Sequence, residues 1–457
     1  MAISPARRAA LDLLRSVETG RSNLGHALAA IRQRLPDERD RALASDLLIG
    51  ALRWRGLIDY VVSRGSRRPL DRLDADVLAV LRLGVFQLLY LDRVPAAAVV
   101  DDAVNLARAR GLSSAAGFVN AILRRVARSG RPPDLPPRPA APPEESREDW
   151  IEHLSVTGSH PPWLVSRWLH RCGPDGTASW LAFNNTPAAL TVRANRLVTT
   201  RDQLARELAD AGVETRPTTA APDGLVVTGG NPLRTPHADS GALVVQDEAS
   251  QLVAEIVAAR PGERLLDACA APGGKTLGLA SAAAGGVVVA CDTRPSRVRL
   301  LTRTLASHGA SSVKVVRTDF APAAPFRAWF DAVLVDAPCS GLGTIRRDPD
   351  VKWRRREADL AGLAARQLAL LSAASGAVRP GGRLIYATCS SEPEENDEVV
   401  DSFLASQSDF EPVPASRVAA GLPEAARCLV EESGRFRTMP PRDAMEAFFA
   451  AVMSRRA

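Results

Sequence analysis

The chain has 457 residues, 46% of them apolar, so two or three domains with real cores are expected, and no apolar run reaches the length of a membrane span. Its six cysteines form no Cys-x-x-Cys pair and meet no histidine cluster, which argues against zinc and a disulfide framework and fits a reducing cytoplasm. The net charge of +6 is uneven: residues 1–130 hold 21 Arg against 13 Asp or Glu, while the remainder is slightly acidic, a bias that suggests a polyanionic partner, most simply nucleic acid.

The first fifteen residues carry Asp12 and lack a cleavage-site pattern, so no signal peptide is expected. Residues 6–18, 37–55, 57–63, 75–90, 96–110 and 113–128 each place Leu, Val, Ile or Ala at three- and four-residue spacing. A helical bundle over 1–130 follows. Arg7 and Arg8 with Arg15, and Arg124 and Arg125 with Arg128, form candidate basic faces.

Residues 131–146 contain seven prolines and read as an extended linker. A small α+β module is expected over 147–240, with helices at 150–153, 162–170 and 201–211 and strands at 190–193 and 225–227. Asn185-Thr186-Pro187 reads as a turn. Arg193-Ala194-Asn195 suits either a turn or a backbone phosphate.

From Gly241 strands and helices alternate. Strands are expected at 264–268, 286–291, 313–316, 332–335, 384–386 and 447–452, and helices at 275–284, 295–308, 358–378 and 394–405. Such alternation predicts a parallel, doubly wound sheet with right-handed crossovers. The first strand runs into Cys269-Ala270-Ala271-Pro272-Gly273-Gly274-Lys275. Strand, glycine loop and helix form a crevice for a nucleotide-like ligand at the carboxyl edge of the sheet. The loop lacks the G-x-x-x-x-G-K spacing of a phosphate-gripping loop. Asp292, Asp319 and Asp336 each follow a later strand. Carboxylates rimming one pocket suit ribose hydroxyls and a cationic centre better than a polyphosphate.

Two cysteines stand at strand ends beside that crevice, Cys339 in Asp336-Ala337-Pro338-Cys339-Ser340-Gly341 and Cys389 in Ala387-Thr388-Cys389-Ser390. A thiol in a polar loop at a crevice is a candidate nucleophile. The residues alone leave open which one attacks. Lysine is rare: Lys275, Lys314 and Lys352 are the whole set, and two of them fall in motifs. Such survivors mark positions that need a compact ammonium.

These motifs together resemble the RNA 5-methylcytosine methyltransferases. So do Gln246-Asp247-Glu248-Ala249-Ser250 and the run Arg347-Asp348-Pro349-Asp350-Val351-Lys352-Trp353. The helical start, through Ala6-Arg7-Arg8-Ala9 and 118–124, is similar to NusB-like RNA-binding domains and points to the ribosomal small-subunit methyltransferase B (Fmu/Sun) group. Where the family closes with an Asp-Gly-Phe-Phe-like turn, this chain has Glu446-Ala447-Phe448-Phe449.

The resemblance implies an all-α NusB-like bundle, a small α+β module and, over 241–457, a Rossmann-like methyltransferase domain. It implies S-adenosylmethionine as cofactor, held by Cys269 to Lys275, Asp292 at the ribose, Asp319 near the adenine, and Asp336 bordering both cofactor and pyrimidine. It implies methylation of cytosine carbon 5 in 16S ribosomal RNA, with Cys389 attacking carbon 6 and Cys339 assisting release. Arg7, Arg8, Arg346, Arg347 and Lys352 are the expected RNA contacts. A monomer acting on small-subunit ribosomal RNA, without metal or membrane, is the expected state. A transfer RNA methyltransferase and a non-catalytic RNA-binding or antitermination-like factor are the alternatives.

Overall fold

The computed structural model describes residues 4–129, 134–320 and 324–457. Gly130 and the first part of the Pro-rich stretch, 131–133, lie outside them. The chain forms two compact units. One comprises residues 1–187 and 345–357, the other 188–344 and 358–457.

The first unit is helical. Helices Pro5–Glu18, Glu38–Arg53, Ala75–Tyr90 and Ala96–Ala109 lie within a residue or two of the periodicity. A break at Trp54 separates Glu38–Arg53 from Arg55–Gly65. Asp37 and Asp74 cap their helices by accepting backbone N–H groups two and three residues on. Helix Leu24–Arg34, absent from the sequence expectation, is capped in the same way by Asn23. Its buried stripe is only Leu24, Ala27 and Ile31, too thin to stand out as a period. The core is aliphatic, with Leu11, Leu14, Leu47, Leu48, Leu81 and Val119 nearly inaccessible.

Two arginines enter this core with partners. Arg82 is clamped by Glu18 and by Asp59 at 2.7 Å. Arg7, expected at an RNA surface, is instead buried on Gln87 at 2.8 Å and Asp102 at 3.1 Å. It sits on the inner face of its helix, whereas the next residue, Arg8, is exposed.

Helices Arg147–Thr157 and Pro162–Asn185 complete the chain's first pass through this unit. The second is interrupted at Gly173 (φ +66°) before Pro174, and Trp168 and Trp180 stack across the break at 4.5 Å. The chain therefore first leaves this unit at Pro187, inside the span 147–240 that the sequence groups as one module. Helix Arg147–Thr157 packs on Arg55–Gly65, which ties it to the bundle.

The second unit holds two sheets. The smaller contains β1 (Thr191–Ala194), β2 (Glu214–Pro217), β3 (Gly224–Gly229) and β4 (Leu243–Val245), antiparallel in the order β2-β3-β1-β4. The sequence expectation starts a new domain at Gly241, yet β4 pairs with β1. Arg193 and Asn195 build structure: Arg193 donates to Gly274 O at 2.8 Å, and Asn195 to Gly241 O and His308 O, both at 2.8 Å.

The larger sheet contains β5 (Arg264–Asp267), β6 (Val287–Asp292), β7 (Lys314–Arg317), β8 (Phe330–Asp336), β9 (Val378–Thr388), β10 (Phe410–Pro412), β11 (Phe436–Arg437) and β12 (Phe449–Arg455). Its order is β10-β12-β9-β8-β5-β6-β7, with β11 on β12. Strands β5 to β9 pair in parallel. The closing strand β12 is antiparallel to β9, so the sheet is mixed at one side. Near-continuous apolar runs such as Ala332–Val335 reflect burial of both faces.

Close approach in the bundle gives a test. A Cβ on Gly50 would lie 1.9 Å from the Phe86 ring. Gly50→Ala should lower the unfolding free energy by about 1–3 kcal/mol through overpacking, read by urea denaturation; an unchanged midpoint would mean that Phe86 moves freely.

Candidate active site

The carboxyl ends of β5, β6, β8 and β9 gather the predicted residues in the second unit. After β5 the chain turns through Ala268 to Gly273, with a cis bond before Pro272, and enters helix Gly274–Ala282. Gly273 has φ +114°, and a Cβ there would meet Leu301 at 3.1 Å, so the turn needs a glycine. Ala270 N–H donates to Cys291 O at 2.8 Å, holding the loop over the end of β6.

Asp267, the last residue of β5, accepts from the Thr276 hydroxyl at 2.7 Å and so ties the strand end to the helix start. Burial pushes its carboxyl up to about 7, with Asp336 adding to the rise. Lys275 donates to Asp336 at 2.7 Å. Burial opposes its charge, but Asp336 and Cys389 outweigh it, and the ammonium is held above the usual lysine value. Its Nζ lies 5.6 Å from the Phe448 ring centre. The family-variant turn 446–449 therefore lies beside this lysine.

Asp292 ends β6 and is buried. Arg297 donates to its Oδ2 at 2.9 Å and to Ala271 O at 2.5 Å, linking the carboxylate to the glycine loop. Thr318 N–H bonds Asp292 O at 3.2 Å, which brings the end of β7, and the exposed Asp319 after it, beside β6. The loop, with its glycine cradle and rim of carboxylates, fits a ribose-bearing cationic ligand.

The two cysteines meet. Register pairs Asp336 with Ala387, and Ala337 N–H donates to Ala387 O at 2.8 Å, so β8 and β9 leave the sheet side by side. The Sγ atoms of Cys339 and Cys389 are 3.3 Å apart. The contact with Cys389, then burial, pushes the Cys339 thiol well above its ordinary range. Cys269 is likewise pushed up by burial and by Asp267, which makes it a lining thiol rather than a nucleophile.

Beneath the thiols lies a buried polar cluster. Glu395, Gln367, Ser340, Ser390 and Tyr386 are all buried and mutually hydrogen-bonded. Sequence reasoning missed these residues and Arg297. Glu395 looks like the acidic first turn of a helix, and Arg297 like one of many surface arginines. The retrievable signal was position: Ser340 and Ser390 each follow a cysteine, and Arg297 opens the helix after Asp292.

The expected RNA contacts of the run 346–352 lie in the first unit. Lys352 is fully buried; its Nζ donates to Arg53 O at 2.9 Å, with Asn185 Oδ1 at 3.5 Å. Trp353 Nε1 donates to Leu52 O at 2.6 Å. These donors satisfy the last carbonyls of helix Glu38–Arg53. Burial and Arg53 hold the lysine well below its usual value. Lys352 is thus a helix-end anchor, not a surface cation. Arg346 turns onto Thr186 O and Pro187 O and stacks on Phe183, while Arg347 is half-buried. Arg8, Arg124, Arg125 and Arg128 are exposed.

Among the described residues, no helix is long and apolar enough to cross a membrane. Family comparison matches residues 254–454 to the 16S rRNA methyltransferase RsmB/F family, 4–128 to the NusB family and 160–234 to the RsmF/B-like ferredoxin-like domain. The chain is 36% identical to ribosomal RNA small subunit methyltransferase B of Pseudomonas putida, covering 87% of this chain and 88% of that one. It is 32% identical to the protein of the same name from Klebsiella pneumoniae, covering 96% of each. The solved structure of PH0851 superposes with TM-score 0.81 at 26% identity over 99% of each chain.

Asp267 gives a pH test. Its folded value of about 7 exceeds the ordinary 3.8, so its protonation stabilises the fold fully below pH ~4 and that contribution is lost as pH rises through 7. Asp267→Asn should remove up to ~1.4 kcal/mol per pH unit of slope between pH 4 and 7, read by denaturant titrations of both proteins; equal slopes would place the carboxylate in contact with water.

Proposed function

Because the chain belongs to the RsmB/F family of 16S ribosomal RNA methyltransferases, we propose that it methylates carbon 5 of a cytosine in small-subunit ribosomal RNA, in the cytoplasm, using S-adenosylmethionine and a cysteine bonded transiently to carbon 6. The observation that carries the reading is the pair of thiols 3.3 Å apart beside the glycine loop. Carbon 5 of cytosine is a poor nucleophile. A thiolate adding to carbon 6 turns carbon 5 into an enamine-like centre able to take a methyl group. S-adenosylmethionine supplies that group as an electrophilic sulfonium methyl.

The chain's own groups divide the remaining work. Cys389 attacks carbon 6. One feature favours it over Cys339: the charge of Lys275 is coupled to Cys389. After transfer a base takes the carbon 5 proton, the C–H bonding pair restores the ring double bond, and the bond from carbon 6 to sulfur breaks with its electrons on Cys389. Cys339, in contact with Cys389, assists this release. Asp336, oriented by Lys275, hydrogen-bonds the pyrimidine edge. Cys269 to Lys275 line the donor's site, with Asp292 at the ribose, steadied by Arg297, and Asp319 towards the adenine. The target base must leave its stack to reach this edge. The net +8 of residues 1–130, displayed through Arg8, Arg124, Arg125 and Arg128, supplies phosphate contacts.

Loss of an acceptor for ribose hydroxyls costs about 1.5–3 kcal/mol. Asp292→Ala should therefore weaken S-adenosylmethionine binding roughly ten- to a hundredfold by calorimetry; an unchanged dissociation constant would remove Asp292 from the site.

The cysteine roles separate on a denaturing gel. Cys389→Ala should abolish methyl transfer and any covalent RNA adduct. Cys339→Ala should trap methylated RNA on the protein as a band that needs S-adenosylmethionine, and the double variant should show none. The reverse pattern would exchange the two roles. Intact methylation without adduct in either variant would end the covalent reading.

A further inference from the structure

Behind the thiols stands a carboxylate that the reaction above does not use. Glu395 is fully buried. Its Oε1 accepts the backbone N–H of Ser340 at 2.8 Å and the amide of Gln367 at 2.9 Å, and its Oε2 accepts the hydroxyl of Ser390 at 2.5 Å. Ser340 is the residue after Cys339, and Ser390 the residue after Cys389. Gln367 also donates to Pro338 O at 3.0 Å, just before Cys339. The two serine hydroxyls lie 3.1 Å apart. Tyr386, on β9, donates to Glu395 O at 2.6 Å and fixes the backbone of the glutamate.

A buried carboxylate is costly unless its hydrogen bonds are made. Here the donors come from both cysteine turns and from helix Asp359–Ser375, which carries Gln367. A fully satisfied polar cluster of this kind makes one arrangement far better than its neighbours. Strand pairing alone brings the two turns to the same edge, but it leaves their tips free to spread.

We propose that Glu395 is a positioning residue for the thiol pair: its carboxylate clamps the turns at Cys339 and Cys389 together and sets the separation of their sulfurs. The catalytic consequence rests on the reading that both thiols serve one base. The geometric consequence does not.

The test uses the full-length chain and reads both. Glu395→Gln keeps the shape and an acceptor for Ser340 N–H, but an amide cannot accept from both Ser390 and Gln367. The first readout is closure of a Cys339–Cys389 disulfide by diamide, whose N=N bond takes up the two electrons and two protons as the Sγ–Sγ bond forms; the linked peptides are quantified by mass spectrometry. The second is methyl transfer, resolved into kcat and KM.

With cooperative melting and S-adenosylmethionine affinity retained, Glu395→Gln should slow closure at least fivefold and lower kcat at least tenfold, with KM for RNA within twofold. Closure at the parent rate would overturn the clamp, whatever happens to activity, and so would a loss confined to KM. Slower closure in a chain whose parent does not methylate RNA would uphold the clamp and sink the functional reading instead. Should Glu395→Gln not fold, Ser390→Ala removes a single donor and should slow closure at least twofold; an unchanged rate in that variant would likewise overturn the proposal.

Discussion

Parallel pairing of β8 with β9 is the constraint on which the site depends. The register that sets Asp336 against Ala387 makes both strands end at one edge. Cys339 and Cys389 are fifty residues apart in the chain, yet their sulfurs lie 3.3 Å apart. The strands β5 to β9 all run in the same direction, so the loop after β5 and the carboxylates after β6 and β8 meet at that edge too. The chemistry is assembled by topology before any side chain chooses a partner.

Electrostatics then divides labour among groups of like kind. Four carboxylates follow successive strands, but their surroundings differ. Asp267 is buried and pushed towards neutrality, Asp336 holds an ammonium, Asp292 holds a guanidinium, and Asp319 faces outward. Contact with Cys389 and burial push the Cys339 thiol above its ordinary range. A single lysine, Lys275, links the acidic rim to the thiols. An edge so arranged suits a cationic, ribose-bearing ligand beside a nucleophile.

In the first unit, charge has a structural use that composition hides. Arg7 and Arg82 enter the core on acidic and amide partners. Lys352 supplies a single, fully buried amino nitrogen to the carbonyl end of helix Glu38–Arg53. The rarity of lysine singled out Lys275 and Lys352, which are enclosed, and also Lys314, which is exposed. It could not tell a phosphate ligand from a buried anchor, because both are served by the same side chain.

The elements, and the strand ends at which the candidate site residues stand, were legible in the sequence. Helical periodicity gave most of the bundle, strand–loop–helix alternation gave the parallel sheet, and the two cysteine motifs stood at strand ends, because these features follow from local periods of 3.6 and 2 and from turn chemistry. Long-range matters were settled by the folded chain. It assigned β4 to the small sheet and set β12 antiparallel, since strand partners depend on register rather than composition. It buried Arg7 and Lys352, since one helical step or one capped carbonyl separates a surface cation from an interior one. It also gathered Glu395, Gln367, Ser340 and Ser390 beneath the thiols, a cluster drawn from three separate segments whose members resemble ordinary surface residues until folding removes the water around them.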